Sequence, residues 1–87
     1  MIVSASRLPG NAVLDHRGEE LGRLDRIMVE VATGRIAYVV LAYGGVFGIG
    51  ERQCALAWDD LRLDAGRRCF VFERAREEIE ERPLLGV

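Results

Sequence analysis

The chain has 87 residues, of which 49% are apolar and 30% charged, and its formal net charge is −2. This length supports one domain over residues 1–87, and the near-neutral charge excludes the strong field by which basic proteins attract nucleic acid or anionic membranes. No run approaches the roughly 18 apolar residues of a membrane span, and the N-terminus lacks the pattern of a signal peptide. We therefore expect a soluble, cytoplasmic protein.

Short strands bounded by turn residues dominate the chain. In order, the predicted strands are 12–14, 21–31, 36–43, 54–58, 61–63 and 69–72. The turns carry suitable chemistry, since Asp15 can bond to its own backbone and Gly34 can adopt a left-handed conformation. Six short strands at this spacing predict a mainly β domain, a small antiparallel barrel or sandwich with its core at about 6–74.

The segment 21–31 has two interpretations. Its apolar residues fit a helical spacing in part, whereas Gly22 and the period-two alternation of 27–31 favour a strand. We prefer the strand, in which the slip in apolar phase requires a β-bulge near Asp25 and Arg26. The charge of Asp25 is expected to pair with a neighbouring arginine.

The strand 36–43 consists of eight apolar residues without a break, so both of its faces should be covered. The domain core accounts for one face, and a partner is expected on the other. Either Tyr38 or Tyr43 is a suitable anchor, because Tyr is enriched at interface cores. The glycine-rich loop that follows, 44–50, is interpreted as a turn rather than a phosphate cradle, because apolar side chains such as Phe47 fill it and no P-loop Lys follows.

The C-terminal part of the chain changes character. Opposite charges at i,i+4 spacing predict a helix over 74–82, which Pro83 should end. Leu84 and Leu85 then either pack back on the domain or dock on a neighbour. The two cysteines, Cys54 and Cys69, lie in apolar strands and are expected to be small core residues, with a disulfide left open.

Few residues suggest chemistry. His16 is the only histidine and is expected to be a solvated turn residue, while Asp59 and Asp60 are expected to cap a short turn. Arg67 and Arg68 precede two aromatic residues, the best pattern here for nucleic-acid contact, but Phe70 and Phe72 share one strand face and should fill the barrel. We predict no catalytic residue, no metal site and no cofactor.

The order and spacing of four segments resemble the PRC-barrel family, named after the H subunit of the photosynthetic reaction centre. These segments are 15–22, 33–40, 44–51 and 55–61, and the resemblance covers about residues 6–83. Ala57 stands where the family commonly has Pro. The resemblance implies a small β-barrel whose members bind proteins, as in the reaction-centre subunit and a ribosome-maturation factor, and it transfers no catalytic residue.

The sequence therefore predicts a non-catalytic interaction module that acts as a homodimer. An adaptor for a ribosomal protein or ribonucleoprotein is the second hypothesis, and an accessory of a photosynthetic or membrane electron-transfer complex is the third. Nucleic-acid binding and catalysis are disfavoured. The interface candidates are Tyr38, Val40, Tyr43, Phe47, Leu84 and Leu85.

Overall fold

The computed structural model describes residues 2–44 and 50–74. It contains six strands, β1 (Ala12–Leu14), β2 (Glu20–Glu30), β3 (Arg35–Tyr43), β4 (Arg52–Leu56), β5 (Leu61–Asp64) and β6 (Cys69–Phe72). Two short 3-10 turns, Ala5–Arg7 and Trp58–Asp60, precede β1 and join β4 to β5. The mainly β prediction is confirmed.

The six strands form one sheet in the order β4-β3-β2-β1-β6-β5. The sheet curls into a half-barrel, with β4 and β5 as its terminal strands. Every neighbouring pair is antiparallel except β1 and β6, which run parallel. The prediction of a fully antiparallel sheet is wrong at that pair, because β1 pairs with a strand that is far away in the sequence and not joined to it by a hairpin.

The turns have the conformations that the sequence predicted. The Asp15 carboxylate accepts hydrogen bonds from the backbone N–H groups of Arg17 and Glu19, at 2.8 and 2.9 Å. Gly18 and Gly34 have positive φ angles of 87° and 74°. Because these bonds and angles close the two tight turns, they fix where β1 ends and β3 begins.

Strand β2 contains the predicted bulge. Leu24 lies opposite Leu41 and Arg26 lies opposite Val40, so Asp25 is an extra residue in β2. The extra residue reverses the alternation of β2 side chains between the two faces of the sheet. Leu24 and Ile27 therefore both pack with the core. The strand interpretation of 21–31 is therefore confirmed, and the bulge explains why its apolar spacing looks partly helical.

The core lies on the concave side of the sheet. Its fully buried side chains come from every strand except β5, whose Leu61 and Leu63 pack against its edge. They include Val13, Leu24, Val39, Leu41, Cys54, Leu56, Phe70 and Phe72. The two cysteines are buried and form no disulfide, and only Cys54 belongs to this core.

Two local predictions need correction. Strand β4 covers Arg52–Leu56, and Trp58, predicted as its last residue, belongs to the 3-10 turn instead. Ala57 is the N-cap of that turn, and no side chain caps it. Asp59 and Asp60 are therefore not capping residues, because they lie inside the turn. The helix predicted over 74–82 lies, after Arg74, outside the described residues.

Candidate interaction surfaces

The convex face of β2, β3 and β4 carries an apolar strip. Core residues Val39 and Leu41 point to the concave side, so Tyr38, Val40 and Ala42 point to the convex side. Met28 on β2 lies directly opposite Tyr38, and both are half-buried. This placement decides which residues of β3 face outward, a choice that the sequence left open.

Arg26 covers much of this strip. Arg26 lies opposite Val40, while Gln53 on β4 lies opposite Ala42. The guanidinium of Arg26 donates a hydrogen bond to Gln53 Oε1 at 3.1 Å. The Arg26 side chain therefore crosses β3 on the convex face. Val40 is 0% exposed as a result. An apolar second face on β3 is thus covered by the chain itself, through the aliphatic stem of an arginine.

Two substitutions at Arg26 can separate the stabilisation by its aliphatic stem from the stabilisation by its hydrogen bond. Arg26 Nε is buried and makes no hydrogen bond, and its nearest charge is Asp25 Oδ2 at 3.6 Å. We expect Arg26→Ala to lower the free energy of unfolding by about 1–2 kcal/mol through loss of apolar cover over Val40. Arg26→Met should stay close to the wild type in urea denaturation, since it keeps that cover. Equal losses in both variants would show that the hydrogen bond, and not the stem, stabilises this face.

The predicted interface residues occupy three different environments. Tyr38 is half-buried on the convex face, whereas Val40 lies beneath Arg26. Tyr43 packs against the edge of the core. Phe47, Leu84 and Leu85 lie outside the described residues. Of the described candidates, Tyr38 therefore presents the most suitable side chain to a partner.

An apolar cleft of about 530 Å³ opens beside the core. One wall is formed by Ile27, Val29 and Ile36. These residues belong to the part of the β2–β3 hairpin that extends beyond its pairing with β1. The remaining walls are Trp58, Leu63, Phe70 and the N-terminal residues Ile2, Val3, Ala5 and Leu8. The ring of Trp58 meets that of Phe70 edge-on, with centroids 6.0 Å apart. No sequence pattern indicated this cleft, because its walls come from five separate segments.

A second, polar cleft lies between the β1–β2 turn and the β5–β6 hairpin. His16, Arg17, Arg62, Arg67 and Glu73 line it together with Asp15, and it contains neither Asp25 nor Asp59. Two of its arginines have acidic neighbours, since Arg62 Nε lies 3.8 Å from Glu73 and Arg67 Nε lies 2.8 Å from Asp64. The cleft therefore does not bring Asp25 or Asp59 close to His16.

The Arg67–Asp64 pair has the clearest electrostatic effect. The side-chain hydrogen bond from Arg67 lowers the pKa of the Asp64 carboxyl, and the same bond raises the pKa of Arg67. This pair closes the turn between β5 and β6. Phe70 and Phe72 are buried in the core, as predicted. The basic and aromatic residues that suggested nucleic-acid contact therefore do not share one surface.

The described residues meet the requirements of neither a metal site nor a membrane-spanning helix. Among residues 2–44 and 50–74, no three His, Cys, Asp or Glu side chains come together as metal ligands. No helix in the part of the chain that the structure describes is long and apolar enough to cross a membrane. The convex apolar strip and the two clefts described above are the surfaces from which a function can be argued.

A six-stranded half-barrel of this size, with an apolar concave core, defines a small β-barrel domain. The PRC-barrel domain model matches residues 1–76, and the chain belongs to this family. The PRC-barrel is a protein-interaction domain, which agrees with the apolar surfaces described above. No curated protein matches the chain.

Proposed function

We propose that this protein is a cytoplasmic, non-catalytic interaction module that acts as a homodimer through the convex face of β2 and β3. The observation that carries the proposal is the cross-strand pair of Met28 and Tyr38, which lies half-buried at the exposed end of the apolar strip. Met and Tyr are enriched at interface cores relative to the rest of protein surfaces. An isologous contact would place two such pairs against each other across a two-fold axis.

The register of the sheet supports this position. Strand β4 pairs with β3 only from Val39 to Tyr43, so Tyr38 lies just beyond the part of β3 that β4 covers. Arg26 and Gln53 form a polar boundary on one side of the pair. A flat apolar centre with a polar rim is the usual arrangement of a protein interface. Tyr38 is the proposed anchor, and Val40 is its neighbour on the same face of β3.

Sedimentation equilibrium of the full chain tests this proposal. The wild type should have twice the monomer mass at micromolar concentration, and Tyr38→Glu should weaken dimerisation at least tenfold, a change of about 1.4 kcal/mol. Ala65→Glu adds the same charge to an exposed turn and should leave the dimer unchanged. Circular dichroism checks that each variant is folded.

Two results would contradict the proposal in different ways. A wild-type monomer at micromolar concentration would reject the homodimer. A dimer that tolerates Tyr38→Glu would reject the convex strip as its interface.

A further inference from the structure

The apolar cleft concentrates the exposed aliphatic surface of the described chain. The large hydrophobic residues that remain exposed in the described chain are Ile2, Val3, Val29 and Val31. The first three of them line the cleft. Ile2 is 100% and Val29 is 52% exposed. Surface apolar groups gathered around one concavity mark a binding site more strongly than scattered ones.

The composition of the walls defines what the cleft can accept. None of its ten lining residues carries a charge, and Trp58 contributes the only polar side-chain atom. Its volume, about 530 Å³, lies within the usual range of roughly 300–1,000 Å³ for binding sites. A charged or strongly polar ligand would lose its hydration there without compensation. The occupant should therefore be a small group of aliphatic side chains.

The last described residues contact the 3-10 turn that contributes Trp58 to this cleft. The backbone N–H of Glu73 donates to the carbonyl oxygen of Asp60 at 2.9 Å, and Arg74 lies 3.9 Å from the Asp60 carboxylate. Asp60 is the last residue of the 3-10 turn that begins at Trp58, a wall of the cleft. These two contacts hold Glu73 and Arg74 against the end of the 3-10 turn whose first residue, Trp58, lines the cleft. The C-terminal segment, residues 75–87, follows Arg74 in the sequence.

The length of that segment is sufficient to reach the cleft. Leu84 follows Arg74 by ten residues, which span at most about 33–36 Å when extended. The longest dimension of the described domain is 34 Å, and the cleft begins only two residues from Asp60. With eight of these residues helical, the segment would still span about 19 Å, since the helix rises about 12 Å and two extended residues add about 7 Å.

The sequence of the segment matches the chemistry of the walls. Residues 75–82 contain four Glu and two Arg, whereas Leu84 and Leu85 are its only adjacent pair of large aliphatic residues. The charged part would stay in water while the leucine pair enters the cleft. A tethered segment also has an effective concentration in the millimolar range, which favours it over a separate molecule of equal affinity.

We propose that the cleft binds the C-terminal segment of the same chain, with Leu84 and Leu85 as the side chains that enter it. The tail then shields Trp58, Val3 and Val29 from water and completes the open side of the half-barrel. A protein partner for this cleft would have to displace the tail. This proposal does not depend on the homodimer, because it uses the opposite side of the sheet.

Trp58 provides the measurement, because it is the only tryptophan of the chain and lines the cleft. In the full-length wild type its fluorescence should be blue-shifted and protected from acrylamide. The double variant Leu84→Asp, Leu85→Asp should shift the emission to the red and lose the protection. Arg82→Asp changes the charge of the tail by the same amount and should behave like the wild type.

A wall variant and a peptide make the test specific. Val29→Asp places a charge in the cleft and should expose Trp58 as well, and adding the two leucine substitutions should then have no further effect. A peptide of residues 75–87, added at about 1 mM to the double leucine variant, should restore the protection of Trp58. The same peptide with both leucines replaced by Asp should not.

Three outcomes would overturn the proposal. The first is that the emission and acrylamide protection of Trp58 stay unchanged in the double leucine variant. The second is that the wall and tail substitutions have additive effects on these two readouts. The third is protection that appears only as the protein concentration rises from micromolar values and the mass doubles, which would assign the tail to a second copy. Tyr38→Glu separates this proposal from the homodimer, because it should weaken dimerisation at least tenfold and leave Trp58 protected.

Discussion

Gly22→Ala should lower the free energy of unfolding by about 2–3 kcal/mol, because there is no room for a methyl group where β2 approaches the end of β3. A Cβ added at Gly22 would overlap the carbonyl oxygen of Ala42 and lie 2.9 Å from Cβ of Tyr43. The obstacle is backbone, so a side-chain rotation cannot relieve it. The two strands would have to separate at the register position that leads into the glycine-rich loop.

Urea denaturation gives the measurement for Gly22→Ala, and the midpoint should fall while the slope stays constant. Gly66→Ala is the matched control. Gly66 has no left-handed φ, and a Cβ there would meet only Asp64 Oδ1 at an ordinary 3.5 Å, so its effect should be within about 0.5 kcal/mol. A Gly22→Ala variant as stable as this control would show that β2 and β3 are not as close as the structure places them.

Phe72→Ala should have a larger effect, a loss of about 3–5 kcal/mol. Phe72 is 0% exposed and lies opposite Leu61 in the pair that holds the terminal strand β5. Its removal would leave a cavity between β6 and the rest of the core. A domain of 87 residues has a total stability of about 4–13 kcal/mol, so this single change removes a large part of it.

Thermal unfolding should reveal the loss at Phe72 as a fall in Tm of at least about 12 °C, at about 4 °C or more per kcal/mol for a domain of this size. Val31→Ala also truncates an apolar side chain, but Val31 is 90% exposed, and its Tm should remain near that of the wild type. Similar Tm values for the two variants would mean that Phe72 does not occupy the core.

The covering of Val40 changes how the apolar strand β3 should be interpreted. Eight apolar residues in a row suggested that a partner covers one face, and the structure shows that Arg26 covers much of it within the chain. The case for a homodimer therefore depends on the neighbouring Met28–Tyr38 pair. The uninterrupted run by itself requires no second molecule.

The cleft and the convex strip make different demands on a partner. The strip lies on a convex face and is bordered by the Arg26–Gln53 bond, which suits another folded surface. The cleft is concave and uncharged, which suits a short apolar segment. Because they lie on opposite sides of the sheet, a dimer on one side leaves the other available. This division explains how so small a domain could engage two kinds of contact.

The sequence by itself determined the features that depend on neighbouring residues. The turns at Asp15 and Gly34, the bulge at Asp25 and the burial of Phe70 and Phe72 all follow from turn chemistry, side-chain periodicity and apolar phase. Each depends on interactions within a few residues along the chain, so local rules are sufficient to predict it. The family resemblance then implied that these strands form a small β-barrel.

Only the tertiary structure decided the features that depend on distant segments. The parallel pairing of β1 with β6, the outward direction of Tyr38 and the bond from Arg26 to Gln53 join residues that sequence spacing does not relate. The cleft likewise needs Val3, Val29 and Trp58 in one place. Sheet curvature and pairing order set these contacts, and a single strand's residue pattern contains no information about which neighbour will cover it.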